Sequence, residues 1–253
     1  MSIERVKTGI KGLDEMLRGG FLPETANMVE GAPGTGKTTL GMQFIHHGIQ
    51  LGEPGLIITF EQFPEQFYHN AMAFGWNFAE LEKQGLLKIV MTSPEVSRLD
   101  IESIDGMVEK TIREMGIQRV MVDSMSHFSR LSQDPVELRS LEFSFINAFK
   151  RYGITSILTH ESPIFMGESA SNSVISFLVD SYIILRYVEF ESMIHKALLV
   201  LKMRGSDHAK DIRQYNITQQ GIEVQAKFEG REGILSGHPR RMANSFVEAF
   251  VKR

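Results

Sequence analysis

Apolar and polar positions along this chain alternate between two patterns. Short apolar runs are separated by longer stretches whose apolar residues recur at three- and four-residue intervals. ANMVE (26–30) is the first short run. TTLGMQFIHHGIQL (38–51) follows and predicts a helix, with Leu40, Phe44, Ile45 and Ile49 near one face. GLIITFE (55–61) is β-branched and apolar almost to its end, the pattern of a strand buried on both faces. PEQFYHNAMAFG (64–75) predicts a helix, LLKIVM (86–91) a strand, and IESIDGMVEKTIREMG (101–116) an amphipathic helix ending at Gly116. QRVMVDS (118–124) predicts a strand, PVELRSLEFSFINAFKRYG (135–153) a helix closed by glycine, and ITSILT (154–159) another strand. The rhythm argues for a parallel sheet covered by helices on both faces.

The last third changes character. YIILRYVE (182–189), HKALLVLKMRG (195–205), RQYNIT (213–218) and GIEVQ (221–225) follow one another without helical stretches between them. They predict antiparallel strands extending the parallel sheet at one edge. RMANSFVEAFVKR (241–253) predicts a terminal amphipathic helix with Phe246, Val247 and Phe250 on one side. No Ser/Gly/Pro-rich linker and no solenoid-spaced repeat divides the chain. The expected organisation is one domain, 1–236, followed by a basic, amphipathic tail, 237–253.

Composition narrows the chemistry. The 253 residues carry 27 Lys and Arg against 31 Asp and Glu, a net charge of −4, so no basic excess points to nucleic acid. There is no cysteine. That excludes disulfides, Cys-ligated zinc, iron–sulfur clusters and thiol catalysis, and it suits a reducing compartment. MSIERVKTGI at the N-terminus has no apolar core of a signal peptide, and no apolar run approaches the roughly 18 residues a membrane helix needs. The expectation is a cytoplasmic protein with no membrane partner.

GAPGTGKTT (31–39) lies between the first short run and the first helix. Gly31-Ala32-Pro33-Gly34-Thr35-Gly36-Lys37-Thr38 matches G-x-x-x-x-G-K-[ST], with Thr39 next. Glycines admit positive φ and let backbone N–H groups wrap an anion, and the helix that follows aims its amides and dipole at phosphate. Lys37 is placed to reach the β- and γ-phosphates of a nucleotide, and the Thr38 hydroxyl to ligate Mg²⁺. Such a site needs a second acidic residue at a strand end. Asp123, closing QRVMVDS, is the candidate for magnesium, and Glu61, closing LIITFE, for the general base toward water. ATP and Mg²⁺ are therefore the expected ligands.

With these motifs in place the chain resembles the KaiC-like ATPases of the RecA superfamily, nearly end to end. TGIKGLDEMLRGG (8–20), the glycine loop, TFEQ (59–62), AFGWNFAELEKQGLLKIV (73–90), VDSMSHFSR (122–130), LKMRGSDH (201–208) and GILSGHPRR (233–241) follow in family order. IFMGE (164–168) and the stretch 176–217 resemble the C-terminal ATPase domain of KaiC in particular. The resemblance implies a RecA-like P-loop fold, assembled as a homohexameric ring with nucleotide between subunits. It implies Glu61 as the catalytic base, the first of a pair of glutamates. The second is Gln62 here, which can orient water but cannot take its proton. It also implies that Lys202, Arg204 and His208 reach the neighbouring subunit's nucleotide. Ser176 matches one of two adjacent phosphate acceptors, the other falling on Phe177, which cannot be phosphorylated, and Arg130 matches an arginine able to pair with such a phosphate.

Three functions are carried forward: a slow, ring-forming regulatory ATPase, a nucleotide-gated signalling switch or Ser176 autokinase with a protein partner, and a DNA-dependent ATPase. The acidic balance and the lack of a separate DNA-binding domain in this sequence weigh against the last. Other features read as structural. His46 and His47 point in different directions on a helix and make a poor metal site. His69 and Trp76 read as packing or surface residues, the 14 Met as core filler, and Arg240-Arg241 and Lys252-Arg253 as a charged tail.

Overall fold

Every strand of the first half ends on the same edge of one sheet, and the loops leaving that edge carry the polar residues singled out above. The computed structural model describes residues 4–103, 106–162, 174–190, 192–228, 231–232 and 240–241. After a short helix α1 (Leu13–Met16), β1 (Ala26–Gly31) is buried at every position and runs into the glycine loop, from which α2 (Lys37–Gln50) departs. β2 (Gly55–Thr59), α3 (Pro64–Met72), α4 (Phe78–Lys83), β3 (Leu87–Met91), α5 (Pro94–Glu102), α6 (Met107–Met115) and β4 (Arg119–Asp123) follow. A 3₁₀ turn (Met125–Arg130), α7 (Pro135–Arg151), β5 (Thr155–Glu161) and a second 3₁₀ turn (Val174–Phe177) lead to β6 (Ser181–Phe190), β7 (Met193–Met203), β8 (Arg213–Thr218) and β9 (Gly221–Lys227).

The nine strands form one sheet in the order β3-β2-β4-β5-β1-β6-β7-β8-β9. α2 carries the chain from β1 across β5 and β4 to β2. Side chains alternate across the sheet. Val29, Ile57, Met121, Ile157 and Ile183 pack on one face against Leu40, Phe44, Phe67 and Phe78 of α2–α4. Met28, Ile58, Val122, Leu158 and Ile184 pack on the other against Val108 and Ile112 of α6 and Phe145 and Phe149 of α7. The expected α/β sheet with helices on both faces and antiparallel strands at the C-terminal edge is the observed architecture.

Three local expectations change. The first strand of the last third, β6, pairs parallel with β1, so the antiparallel part begins with the β6–β7 hairpin. The 101–116 helix is two. Ser93 caps α5, accepting the Val96 N–H at 3.3 Å, with Pro94 in the first turn. Asp100 then caps α6 from the end of α5, its carboxylate accepting the N–H groups of Met107 (2.7 Å) and Val108 (2.5 Å). An Asp satisfying two helix-start amides is worth more as a cap than as a residue of a continued helix. α4, too short for a clear period, is an addition. The terminal helix over 241–253 does not begin at Arg241, since Arg240–Arg241 pair as a short strand with Arg231–Glu232. Residues 242–253, most of the tail and IFMGE (164–168) lie outside the described residues.

Candidate nucleotide-binding site

The glycine loop is shaped by contacts that leave no room for side chains at its glycines. Gly34 and Gly36 have φ of +77° and +97°. A Cβ at Gly34 would lie 2.7 Å from the Tyr187 hydroxyl, and one at Gly36 2.8 Å from Ile217 Cδ1. Thr35 Oγ1 donates to the Ala32 carbonyl at 2.7 Å and closes the turn internally. Two tyrosines hold it from the antiparallel strands: Tyr187 on β6 donates to the Pro33 carbonyl at 3.3 Å, and buried Tyr215 on β8 donates to the Thr35 carbonyl. The loop carbonyls are thus tied back, which suits a loop whose amides must face an anion.

Beside the loop lies a cleft of about 190 Å³, lined among others by Lys37, Thr38, Glu61, Gln62, Asp123 and Glu161. Lys37 is buried and rests its ammonium on the Ala32 carbonyl at 3.2 Å. Burial lowers its pKa, against the opposing pull of Glu161, Asp123 and Glu30. Thr38 Oγ1 donates to Asp123 Oδ2 at 2.8 Å, and Thr159 donates to the other carboxylate oxygen. Burial raises the Asp123 pKa, although both hydroxyls and Lys37 favour its ionised form. Thr59 Oγ1 accepts the N–H groups of Glu61 (3.4 Å) and Gln62 (3.1 Å), which turns TFEQ into the cleft. Glu61 stays exposed, 3.5 Å from His127 Nε2. The Gln62 side-chain amide oxygen, Oε1, is buried without a hydrogen-bond partner among the described residues.

This donor set fits the expected ligands. Glycines that a Cβ would crowd, a desolvated ammonium and a helix start suit phosphate. Among the described residues no three His, Cys, Asp or Glu are grouped to hold a metal by themselves. The converging Thr38 hydroxyl and Asp123 carboxylate offer the small protein share that Mg²⁺ takes when phosphate oxygens complete its shell. A second cavity of about 320 Å³ adjoins the start of α2 and is lined by Thr38, Thr39, Met42, Gln62, Ala73 and Phe74 among others.

Lys202 and Arg204 lie elsewhere. Gly31 pairs with Leu185, which pairs with Leu198, whereas Lys202 pairs with Tyr182, which pairs with Met28. The cations are therefore about three residues, or roughly 10 Å, down the sheet from the loop. Lys202 Nζ donates to the carbonyls of Ser176 (3.0 Å) and Val179 (2.7 Å), and Arg204 Nη2 to that of Phe177 (2.6 Å). Both grip the 174–179 turn that carries half-buried Ser176. The strand predicted over 195–205 stops short of its expected end: β7 ends at Met203, and Arg204 belongs to the turn beyond it. His208 is buried, with Lys210 Nζ 3.2 Å from its Nδ1, and burial followed by that charge lowers its pKa. Arg130 is exposed after β4, where its charge acts on Glu95, and no hydrogen bond or ion pair joins it to Ser176 among the described residues.

Several residues of the site escaped the sequence reading. Glu161 closes β5 as Glu61 and Asp123 follow or close theirs, and a strand continued two residues past Thr159 would have exposed it. Tyr187 and Tyr215 had no local signal, because only the sheet order brings them to the loop.

Comparison with known proteins supports the same reading. Residues 6–229 match the family model described as "ATPase: KaiC". The chain is 38% identical over 240 residues to the circadian clock oscillator protein KaiC of Thermostichus vulcanus, covering 94% of this chain and 46% of that protein. It is 37% identical over 245 residues to the circadian clock protein KaiC3 of a Synechocystis species, covering 96% and 48%. The chain thus spans about half the length of the curated relatives it matches. Fold, loop and family match agree: this chain is a KaiC-type ATPase domain and belongs to the KaiC ATPase family.

Proposed function

We propose that the domain binds Mg²⁺·ATP in the cleft beside Lys37 and hydrolyses it slowly, as a regulatory ATPase whose site is completed by a neighbouring subunit in a ring. The observation that carries this reading is the separation of acid and base chemistry from the extra cations. Lys37, Thr38, Asp123 and Glu61 share one cleft, while Lys202 and Arg204 stand at the other end of β7 and cannot serve it within the same chain.

In this reading the loop amides and Lys37 hold the phosphates, and Thr38 and Asp123 hold the magnesium ion, which supplies positive charge to the phosphate oxygens. Glu61 takes the proton of the attacking water. Gln62 lends a hydrogen bond but no base, which is consistent with slow turnover. The apolar lobe at Met42, Ala73 and Phe74 accommodates the base. A cation reaching across from the next subunit stabilises transferred charge, a contribution of about 4–7 kcal/mol where such residues have been removed elsewhere. The test is turnover per subunit against protein concentration, with the assembly sized in the same samples. Turnover that climbs as rings form and collapses in Arg204→Ala with assembly intact supports the shared site. Equal turnover in dilute monomers refutes it.

A second reading is favoured by one observation: Lys202 and Arg204 hold the very turn that carries Ser176. If these cations reach a neighbour's nucleotide, Ser176 approaches it with them. Phosphate transfer to its hydroxyl, with hydrolysis as a reset, would make the domain a nucleotide-gated switch that displays about −1.5 to −2 charges to a partner protein. Phosphopeptide mass spectrometry after incubation with ATP decides it, and an unmodified Ser176 in assembled, nucleotide-loaded protein sinks it.

A further inference from the structure

The 3₁₀ turn that follows Asp123 touches the carboxylate proposed above to activate water, and nothing in that chemistry uses the contact. Glu61 sits in the bend after β2, where Thr59 Oγ1 accepts its N–H at 3.4 Å. Its side chain is 70% exposed at the rim of the cleft. Among the described residues the one ionisable partner of its carboxylate is His127, whose Nε2 lies 3.5 Å from Oε2.

His127 is the better anchored of the two. Its side chain is 14% exposed. Its ring meets that of Phe60 edge-on, with centroids 6.3 Å apart, and Phe60 in turn packs on buried Phe128. The turn (Met125–Arg130) is tied to the strands on both sides of β4. On the β2 side the Phe60 N–H donates to the Asp123 carbonyl at 3.1 Å, and on the β5 side Ser126 Oγ accepts the Glu161 N–H at 2.7 Å. The His127 N–H closes the turn on the Ser124 carbonyl at 3.3 Å. A seated ring on a fixed turn therefore faces a carboxylate on a long, solvated side chain.

A general base works when its free oxygen is aimed at the water, and a misplacement of about 1 Å can cost about 100-fold in rate. An exposed glutamate spreads over several rotamers and has no such aim of its own. We infer that His127 is a positioning residue for this base: its Nε2–H holds Oε2 of Glu61, which leaves Oε1 facing the water that attacks the terminal phosphate. An imidazole carries a proton on Nε2 in one neutral tautomer and in the charged ring, so the contact does not depend on charge. A separation of 3.5 Å suits a catalytic contact that tightens once substrate is bound. In the reaction the water oxygen bonds to the terminal phosphorus, the bond from that phosphorus to the bridging oxygen of ADP breaks, and the water proton passes to Oε1 and then to solvent. His127 touches none of the reacting atoms.

The inference rests on the reading of Glu61 as the base of an Mg²⁺·ATP site, and the test separates the two. Release of labelled phosphate from ATP is followed in the assembled full chain, and Mg²⁺·ADP is titrated into the same proteins. His127→Ala is expected to lower kcat about tenfold, a fraction of the roughly 10²–10⁴ that general base catalysis supplies, and to leave the Kd of Mg²⁺·ADP within about twofold. An exposed ion pair holds little stability, so the fold survives its loss. His127→Gln, whose amide N–H reaches about as far as Nε2, recovers most of kcat, and the shorter His127→Asn does not. Added to Glu61→Gln, His127→Ala has no further effect, because no base is left to aim. An unchanged or raised kcat in His127→Ala, equal turnover in His127→Gln and His127→Asn, or the same tenfold loss on top of Glu61→Gln overturns the inference while leaving the nucleotide site intact. Full turnover in Glu61→Gln alone, or none in the unaltered assembled chain, overturns both.

Discussion

Glu142→Gln should change how stability depends on pH, independently of any nucleotide. The carboxyl is buried on α7, and burial lifts its pKa from 4.5 to about 7 in the folded chain. A raised carboxylate binds its proton more tightly when folded, so between these values the folded state holds more protons than the unfolded one. Stability from this group therefore falls as pH rises, and the cost is complete above about pH 7. At about 1.36 kcal/mol per pH unit the full cost is about 3 kcal/mol, most of it incurred between pH 5 and pH 8. Glutamine keeps the shape and removes the titration. Its own burial penalty is the same at both pH values and drops out of the comparison. The assay is urea unfolding at pH 5 and pH 8, followed by the fluorescence of Trp76, the one tryptophan, 6% exposed and stacked on Phe74 and His46. Between these pH values the variant should lose about 2 to 3 kcal/mol less stability than the unaltered chain. Two pH profiles that run parallel, offset or not, would show that Glu142 does not titrate near neutrality and refute the reasoning.

Three other changes probe the cleft itself. Lys37→Ala removes a charge-assisted phosphate contact and should weaken ATP about 10- to 100-fold by equilibrium titration, with the fold unchanged by circular dichroism. Asp123→Asn should abolish the Mg²⁺-dependence of nucleotide affinity. Because burial raises the Asp123 pKa, the unaltered chain should lose Mg²⁺-dependent affinity as pH is lowered toward that value, and the variant should show no such loss. Tyr187→Phe deletes the bond to the Pro33 carbonyl and should weaken nucleotide about fivefold, the worth of one hydrogen bond, with kcat unchanged.

How much of this was legible in the chain depends on the range of the interaction concerned. Strands β1 to β5 and helices α2, α3 and α7 are written in local period, because each is buried by one continuous apolar face. The glycine loop is written in local backbone chemistry, since Gly34 and Gly36 need positive φ. Asp123 and Glu61 could be read because a carboxylate ending an apolar strand has few structural reasons to be there. The break between α5 and α6 was hidden because the capping Asp100 serves the next helix, not its own. The tyrosines on the loop were hidden because they depend on which strands become neighbours, and strand order has no local code.

The same distinction separates what the cleft requires from what one chain supplies. The glycine loop, the Thr38–Asp123 pair and Glu61 converge at the carboxyl ends of β1, β2 and β4, where an open α/β sheet forms its crevice whatever its function. Lys202 and Arg204 do not converge there. They stand down the sheet, half-buried and exposed respectively, and donate to three backbone carbonyls of the 174–179 turn. Burial and the Arg204 charge already lower the Lys202 pKa. A lysine partly desolvated beside an arginine, compensated by carbonyl dipoles and the charge of Asp180, gains from the approach of a further anion. Under the proposed function that anion is the polyphosphate held by a second copy, since the cleft of the same chain lies roughly 10 Å up the sheet.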